Sequence, residues 1–262
     1  MVERHATYKG GHMLRSITAM LLTLGMAIPS FAMDREYYSI KDVQVTDVTE
    51  ITNQAEIFSK YNGFGLNQDC NSNSKVLPKY SGDSLIDDLK SGLNVLDTIE
   101  VIVDKIINIG KKIFVVVEAG KPVVNLKLDT ANALPQGLTC WSDLSGWQFP
   151  QSKVYNVKYK NAYGMTVVDY TYRVTYTAGG SIDGIGKYIT NATFQPANIY
   201  VAWGFEFDAS AVIPSVFNTG SRQDPVAGMQ MNMQWKVTSP LAHAQSTETY
   251  FVSGENKLVE LD

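Results

Sequence analysis

One histidine, His243, and two cysteines, Cys70 and Cys140, are the only imidazole and thiol groups beyond the first 32 residues. Zinc, copper or iron sites built from several histidines need residues the chain does not have there. A Ser–His–Asp relay would have to use His243, and no G-x-S-x-G turn exists to present a serine. Carboxylate chemistry asks for less, since two acids at a suitable separation hydrolyse a glycoside. Glu206 and Asp208 stand two apart in a run of strand character and so share a face. Nothing beside them in sequence would raise a carboxyl pKa, so the pair reads first as a solvated face and only second as a hydrolase site.

Two loops imitate ion and phosphate sites and fail at the residues that matter. Asp69-x-Asn71-x-Asn73 opens like a calcium loop, but Ser74 replaces the sixth-position glycine and Tyr80 the twelfth-position glutamate. Gly179–Gly186 is followed by Lys187, as in a phosphate loop. Ser181, however, stands where the first glycine belongs and Tyr188 where Ser or Thr should follow the lysine. The segment reads better as a flexible hairpin loop whose tip, with Ser181 and Asp183, reaches a partner. Trp203 and Trp235 fall on the apolar phase of their strands and read as core. Trp147 and Phe149, near Pro150 in a loop, are the aromatics expected at the surface, and with Ser181 and Asp183 they are the expected ligand contacts. No cofactor or metal is expected.

Compartment follows from the start of the chain. Residues 1–32 read as a signal peptide preceded by an extension. Met13–Ala32 combines Arg15, an apolar run from Ile17 to Ile28, Pro29, and the small residues Ser30 and Ala32, the pattern of cleavage after Ala32. Removing Arg4, Lys9, Arg15 and Glu3 takes the formal net charge from −4 to −6. A mildly acidic chain without basic clusters argues against nucleic-acid partners. In an oxidising compartment Cys70 and Cys140 read as one disulfide, stabilising by about 4 kcal/mol on chain-entropy grounds.

The elements that must position these residues are of two kinds. Ile86, Leu89, Leu93, Leu96, Val103, Ile106 and Ile113 recur mostly at steps of three and four, with Asp87, Lys90, Asp97, Asp104 and Lys111 opposite. This spacing predicts an amphipathic helix over about 84–110, capped by Asp83 or Ser84 and stopped at Gly110. Its charges prevent it from spanning a membrane. Residues 113–128 fit helix or strands equally. After Trp141 the period becomes two: Tyr155 to Tyr159, Val168 to Tyr176, Ile199 to Phe207, Met229 to Val237, then Thr247–Val252 and Lys257–Leu261 about a turn. Such alternation marks antiparallel strands with one buried face.

The expected fold is mainly β (α+β), an antiparallel β-sandwich with one long amphipathic helix packed against it. Residues 33–140 form the α+β N-terminal part and 141–262 the sandwich domain. The expected function is an exported, non-enzymatic binding or interaction protein of the periplasm or cell surface, acting on an unknown protein or surface ligand. A secreted membrane-active protein, rearranging its helix and tyrosine-rich hairpins on a bilayer, is the alternative, and a carboxylate hydrolase the third reading.

Overall fold

The structure, a computed structural model, describes residues 34–50, 75–79, 98–120 and 129–261. Of these, 68% are strand and 4% helical. A single helical turn, α1 (Arg35–Tyr38), precedes twelve strands: β1 (Ile40–Asp47), β2 (Lys75–Lys79), β3 (Thr98–Gly110), β4 (Ile113–Val117), β5 (Ala131–Gln136), β6 (Gln151–Asn161), β7 (Thr166–Ile182), β8 (Ile185–Val201), β9 (Glu206–Asn218), β10 (Ala227–Thr238), β11 (His243–Ser253) and β12 (Lys257–Glu260). They form two sheets. One has seven strands in the order β1-β6-β7-β8-β5-β3-β2, and the other has five in the order β12-β11-β10-β9-β4. Among the described residues the strands pair antiparallel except where β2 runs parallel to β3, and one isolated parallel bridge joins Lys187 to Val226. Strands on both sides of Cys140 contribute to both sheets, and Asp34–Asp262 forms one compact unit.

No long helix lies among the described residues. The second half of the segment expected to carry it, Thr98–Gly110, is the strand β3; residues 84–97 lie outside the described residues. Two physical causes explain the misreading. Threonine, valine and isoleucine dominate TIEVIVDKIINIG, and their branched Cβ suits a pleated surface better than a helix. Val101 and Val103 are buried at a spacing of two, but a bulge against β5 between Ile102 and Ile106 then shifts the phase. The next buried residue is therefore Ile106, three positions on, so a bulge in a strand reproduces a helical step. After Gly110 the chain leaves the first sheet and β4 joins the edge of the second beside β9. Of the ambiguous residues 113–128, Ile113–Val117 are thus strand, and 121–128 lie outside the described residues.

Tyrosine fills the space between the layers. Tyr155, Tyr159, Tyr170, Tyr172, Tyr176 and Tyr188 from the first sheet are fully buried, as are Tyr250, Trp235, Phe207, Met229, Met231 and Met233 from the second. A buried phenol needs a partner for its hydroxyl, and here several find one across the layers. The Tyr172 and Tyr250 hydroxyls lie 2.6 Å apart, Trp235 Nε1 donates to Tyr159 Oη at 2.8 Å, and Tyr159 Oη and Ser246 Oγ are 2.9 Å apart. The Tyr188 hydroxyl donates to the Val103 carbonyl at 2.9 Å, which ties β8 to β3. Ring pairs such as Tyr155–Tyr250 and Tyr170–Phe207, each with centroids 4.9 Å apart, complete the contact. Burial holds the phenols of Tyr172, Tyr250 and Tyr176 protonated well into the alkaline range, that of Tyr176 with its pKa pushed up to about 12.

Candidate binding cleft at the glycine-rich end

One end of the sandwich gathers the β7–β8 hairpin, the β9–β10 connection, the β11–β12 turn and the loop that leads into β6. The hairpin is tighter than a flexible loop. Asp183 and Gly184 alone connect β7 to β8, with φ of 52° and 82°. Positive φ at both central residues is the two-residue turn whose twist matches the flanking strands, and Asp-Gly supplies it at low steric cost. Lys187 N donates to Pro225 O and Gly254 N to Ala227 O, drawing the neighbouring connections together. Glu255 bridges Lys257 at 2.9 Å and Lys187 at 3.3 Å, and these two ammonium groups hold its carboxyl below the usual range.

The loop before β6 is bound along the end of β7. After a 3-10 turn at Trp141–Asp143, the backbone N–H groups of Ser145 and Ser181 each donate to the other residue's carbonyl, at 3.0 and 2.8 Å. Gln148 N donates to Ala178 O at 2.9 Å, and Ser181 Oγ to Ser145 O at 3.3 Å. The Trp147 ring then lies directly over Gly180. A Cβ on that glycine would stand 2.4 Å from the indole, and one on Gly179 would stand 2.9 Å from the Gln148 side chain. The glycines of this hairpin therefore make a seat for Trp147 and Gln148, where the sequence suggested reach. Trp147 is half-buried, with Nε1 donating to the Trp141 carbonyl at 3.2 Å. Phe149, two residues on, is 89% exposed.

Between this loop and the β11–β12 turn lies an open cavity of about 430 Å³, lined by Trp147, Gln148, Phe149, Pro150, Gln151 and Asn256. No ionisable side chain lines it. Asn256 is held at a positive φ of 64°, its N–H donating to Ser253 O at 2.9 Å. Its side-chain Oδ1 is shielded from solvent and has no hydrogen-bond partner among the described residues. The arrangement offers aromatic faces and carboxamides, and chemically that suits an uncharged ligand with apolar ring faces and hydroxyl groups.

The residues expected from sequence divide accordingly. Trp147 and Phe149 line the cleft. Ser181 lies behind it and is used to hold the loop, while Asp183 is at the exposed apex of the hairpin. Gln148, Gln151 and Asn256 are cleft residues that the reading passed over. The alternation of amide and ring in Trp147-Gln-Phe-Pro-Gln151 was the available signal for the first two, whereas only folding brings in Asn256. Glu206 and Asp208 lie on the outward face of β9, far from this loop in the sheet order, and Asp208 Oδ1 accepts the Ala119 N–H at 2.9 Å. Asp208, Glu118 and Lys236 border a smaller cavity of about 210 Å³ on that face, which Glu206 does not line. Cys140 is buried, with Sγ 2.8 Å from Ser142 Oγ; its expected partner Cys70 lies outside the described residues, as do the calcium-like loop and the signal segment. Among the described residues no group of three or more His, Cys, Asp or Glu is placed to hold a metal ion, and no helix is long and apolar enough to cross a membrane.

Trp203 corrects the sequence reading. It is 81% exposed, while Trp235 is 2% exposed and in the core. The run Ile199–Asp208 is two strands, with β8 ending at Val201 and β9 starting at Glu206, and Trp203 is at the tip between them. No family model matches the chain, and neither the curated proteins nor the solved structures contain a match.

Proposed function

We propose that this chain is an exported, non-enzymatic binding module whose cleft at Trp147–Gln151 and Asn256 takes a neutral saccharide. The observation that carries the reading is the lining of the cleft: two aromatic rings, a proline and three carboxamides, with no ionisable group. Sugar rings present C–H faces that pack on aromatics and hydroxyls that both donate to and accept from amides. A charged ligand would find no counter-charge there. The volume falls within the range of small-molecule sites and matches one or two sugar units better than a long polymer. Trp147 is preorganised by the glycine seat, which lowers the ordering cost of binding. Export, with cleavage after Ala32 and a Cys70–Cys140 bridge, belongs to the same reading and rests on the sequence pattern.

The test is calorimetric titration of neutral, acidic and basic oligosaccharides into the wild type and into Phe149→Ala. Neutral sugars should bind, and the variant should bind them about tenfold more weakly, as expected for one lost stacking contact. Equal affinity in the variant, or binding confined to charged sugars, would sink the reading. Sugar that is consumed, with turnover stopped by Glu206→Gln and Asp208→Asn together, would establish the hydrolase reading in its place.

A further inference from the structure

The opposite end of the sandwich carries a different surface. Three connections meet there: Ala162–Met165 between β6 and β7, Ala202–Phe205 between β8 and β9, and Ser239–Ala242 between β10 and β11. The strand registers place them side by side, since Val168 pairs with Val201 and Thr238 pairs with both Glu206 and His243. From these tips and the strand end beside them project Trp203, Tyr200, Tyr163, Met165 and Leu241, all among the exposed large apolar side chains. Their backbones are clamped from behind by the α1 segment. Tyr37 Oη donates to Trp203 O at 3.0 Å, the Tyr38 ring packs on Trp203 and against Gly204, and Ser239 Oγ donates to Tyr38 O at 2.7 Å. Ala162 N donates to Glu36 O, and the Tyr163 hydroxyl donates to Asp34. The projecting rings are thus mounted on a stiff base.

The geometry points to this end as a docking surface for the interface of a zwitterionic lipid bilayer, with Trp203 as its main anchor. Tryptophan and tyrosine settle at headgroup depth because each joins an apolar body to a polar tip, and Met165 and Leu241 supply purely apolar tips beside them. The residues project from separate turns instead of enclosing a pocket, which suits a yielding plane. The surrounding charges, Asp34, Arg35, Glu36, Lys160 and Glu206, are three acids and two bases, so no basic field selects anionic lipid. The chain enters the described body at Asp34, in the midst of this end and directly after the segment read as an export signal. On that reading, this end is held nearest the membrane until cleavage after Ala32.

Co-sedimentation of the purified exported chain, Met33–Asp262, with phosphatidylcholine vesicles tests the inference. Binding is expected, unchanged when salt rises to about 0.5 M, because apolar burial is unscreened. Trp203→Ala should lower the partition coefficient about tenfold, the scale of one large apolar side chain lost from a buried position. Leu241→Ser should lower it less, through a second, independent tip. Three results would each overturn the proposal: no wild-type binding to phosphatidylcholine, binding only to phosphatidylserine-containing vesicles and abolished by salt, or equal partition of wild type and Trp203→Ala. A concentration-dependent dimer that Trp203→Ala dissociates, without vesicle binding, would assign the surface to a second copy of the chain instead.

Discussion

The two ends of the sandwich use aromatic residues in opposite ways. At the glycine-rich end Trp147 is sunk over Gly180 and, with Phe149, walls a cleft completed by carboxamides. At the α1 end Trp203 stands clear of the body, and its support comes from behind. One tryptophan is positioned by what its neighbours lack, the other by what they hold. The difference separates a concave site, shaped for the small ligand proposed, from a convex one, shaped for the extended surface proposed. Between them runs the tyrosine core, common to both.

The comparison breaks most completely when that shared core fails. Tyr172, Tyr250 and Tyr176 have phenol pKa values raised by burial, so each contributes stability that is complete below about pH 10 and declines as pH rises above it. In that range the unfolded chain binds fewer protons than the folded one. Each phenol lowers stability by about 1.4 kcal/mol per pH unit, so about 4 kcal/mol should be gone by pH 11. Urea melts from pH 8 to 11 should show the fall, with both ends lost in one transition; stability that is flat to pH 11 would refute it.

A smaller effect separates the ends. Gly180→Val places its side chain inside the Trp147 ring, and overpacking of this kind costs about 1–3 kcal/mol. Saccharide binding should disappear and amide exchange in the loop before β6 should accelerate, while vesicle binding persists. Loss of both activities together would mean that the ends are not independent. The smallest effect lies at the α1 end. Tyr37→Phe removes the hydrogen bond to the Trp203 carbonyl and should cost about 0.5–1 kcal/mol by denaturant melt, leaving cleft affinity unchanged.

Much of this molecule could be read from its sequence because period-two burial is a one-dimensional signal. Tyr155 to Tyr159, Val168 to Tyr176 and Met229 to Val237 each lie in a single strand with the expected side inward. The errors share one cause, a change of direction that leaves the alternation undisturbed or disguises it. The connection Ala202–Phe205 has an even number of residues, so the odd-numbered apolar phase continues from Ile199 and Val201 to Phe205 and Phe207 while the chain passes to the other sheet. Trp203 keeps that phase and is nonetheless outside. In β3 a bulge does the reverse, turning a strand's spacing of two into a helix's spacing of three. Of the cleft, the rings were legible from their place beside Pro150. The role of Gly179 and Gly180 was not, because a seat exists only once the loop has come back to lie on it.

The α1 clamp has a consequence in time. It is the earliest described element to leave the ribosome, yet the serine whose hydroxyl donates to its Tyr38 carbonyl, Ser239, is 201 residues further along. Contacts of such long sequence separation close late and set the pace of folding. Ala162, Tyr163 and Trp203 can meet the α1 segment earlier, so the clamp closes in stages and is complete only once β10 and β11 have been made.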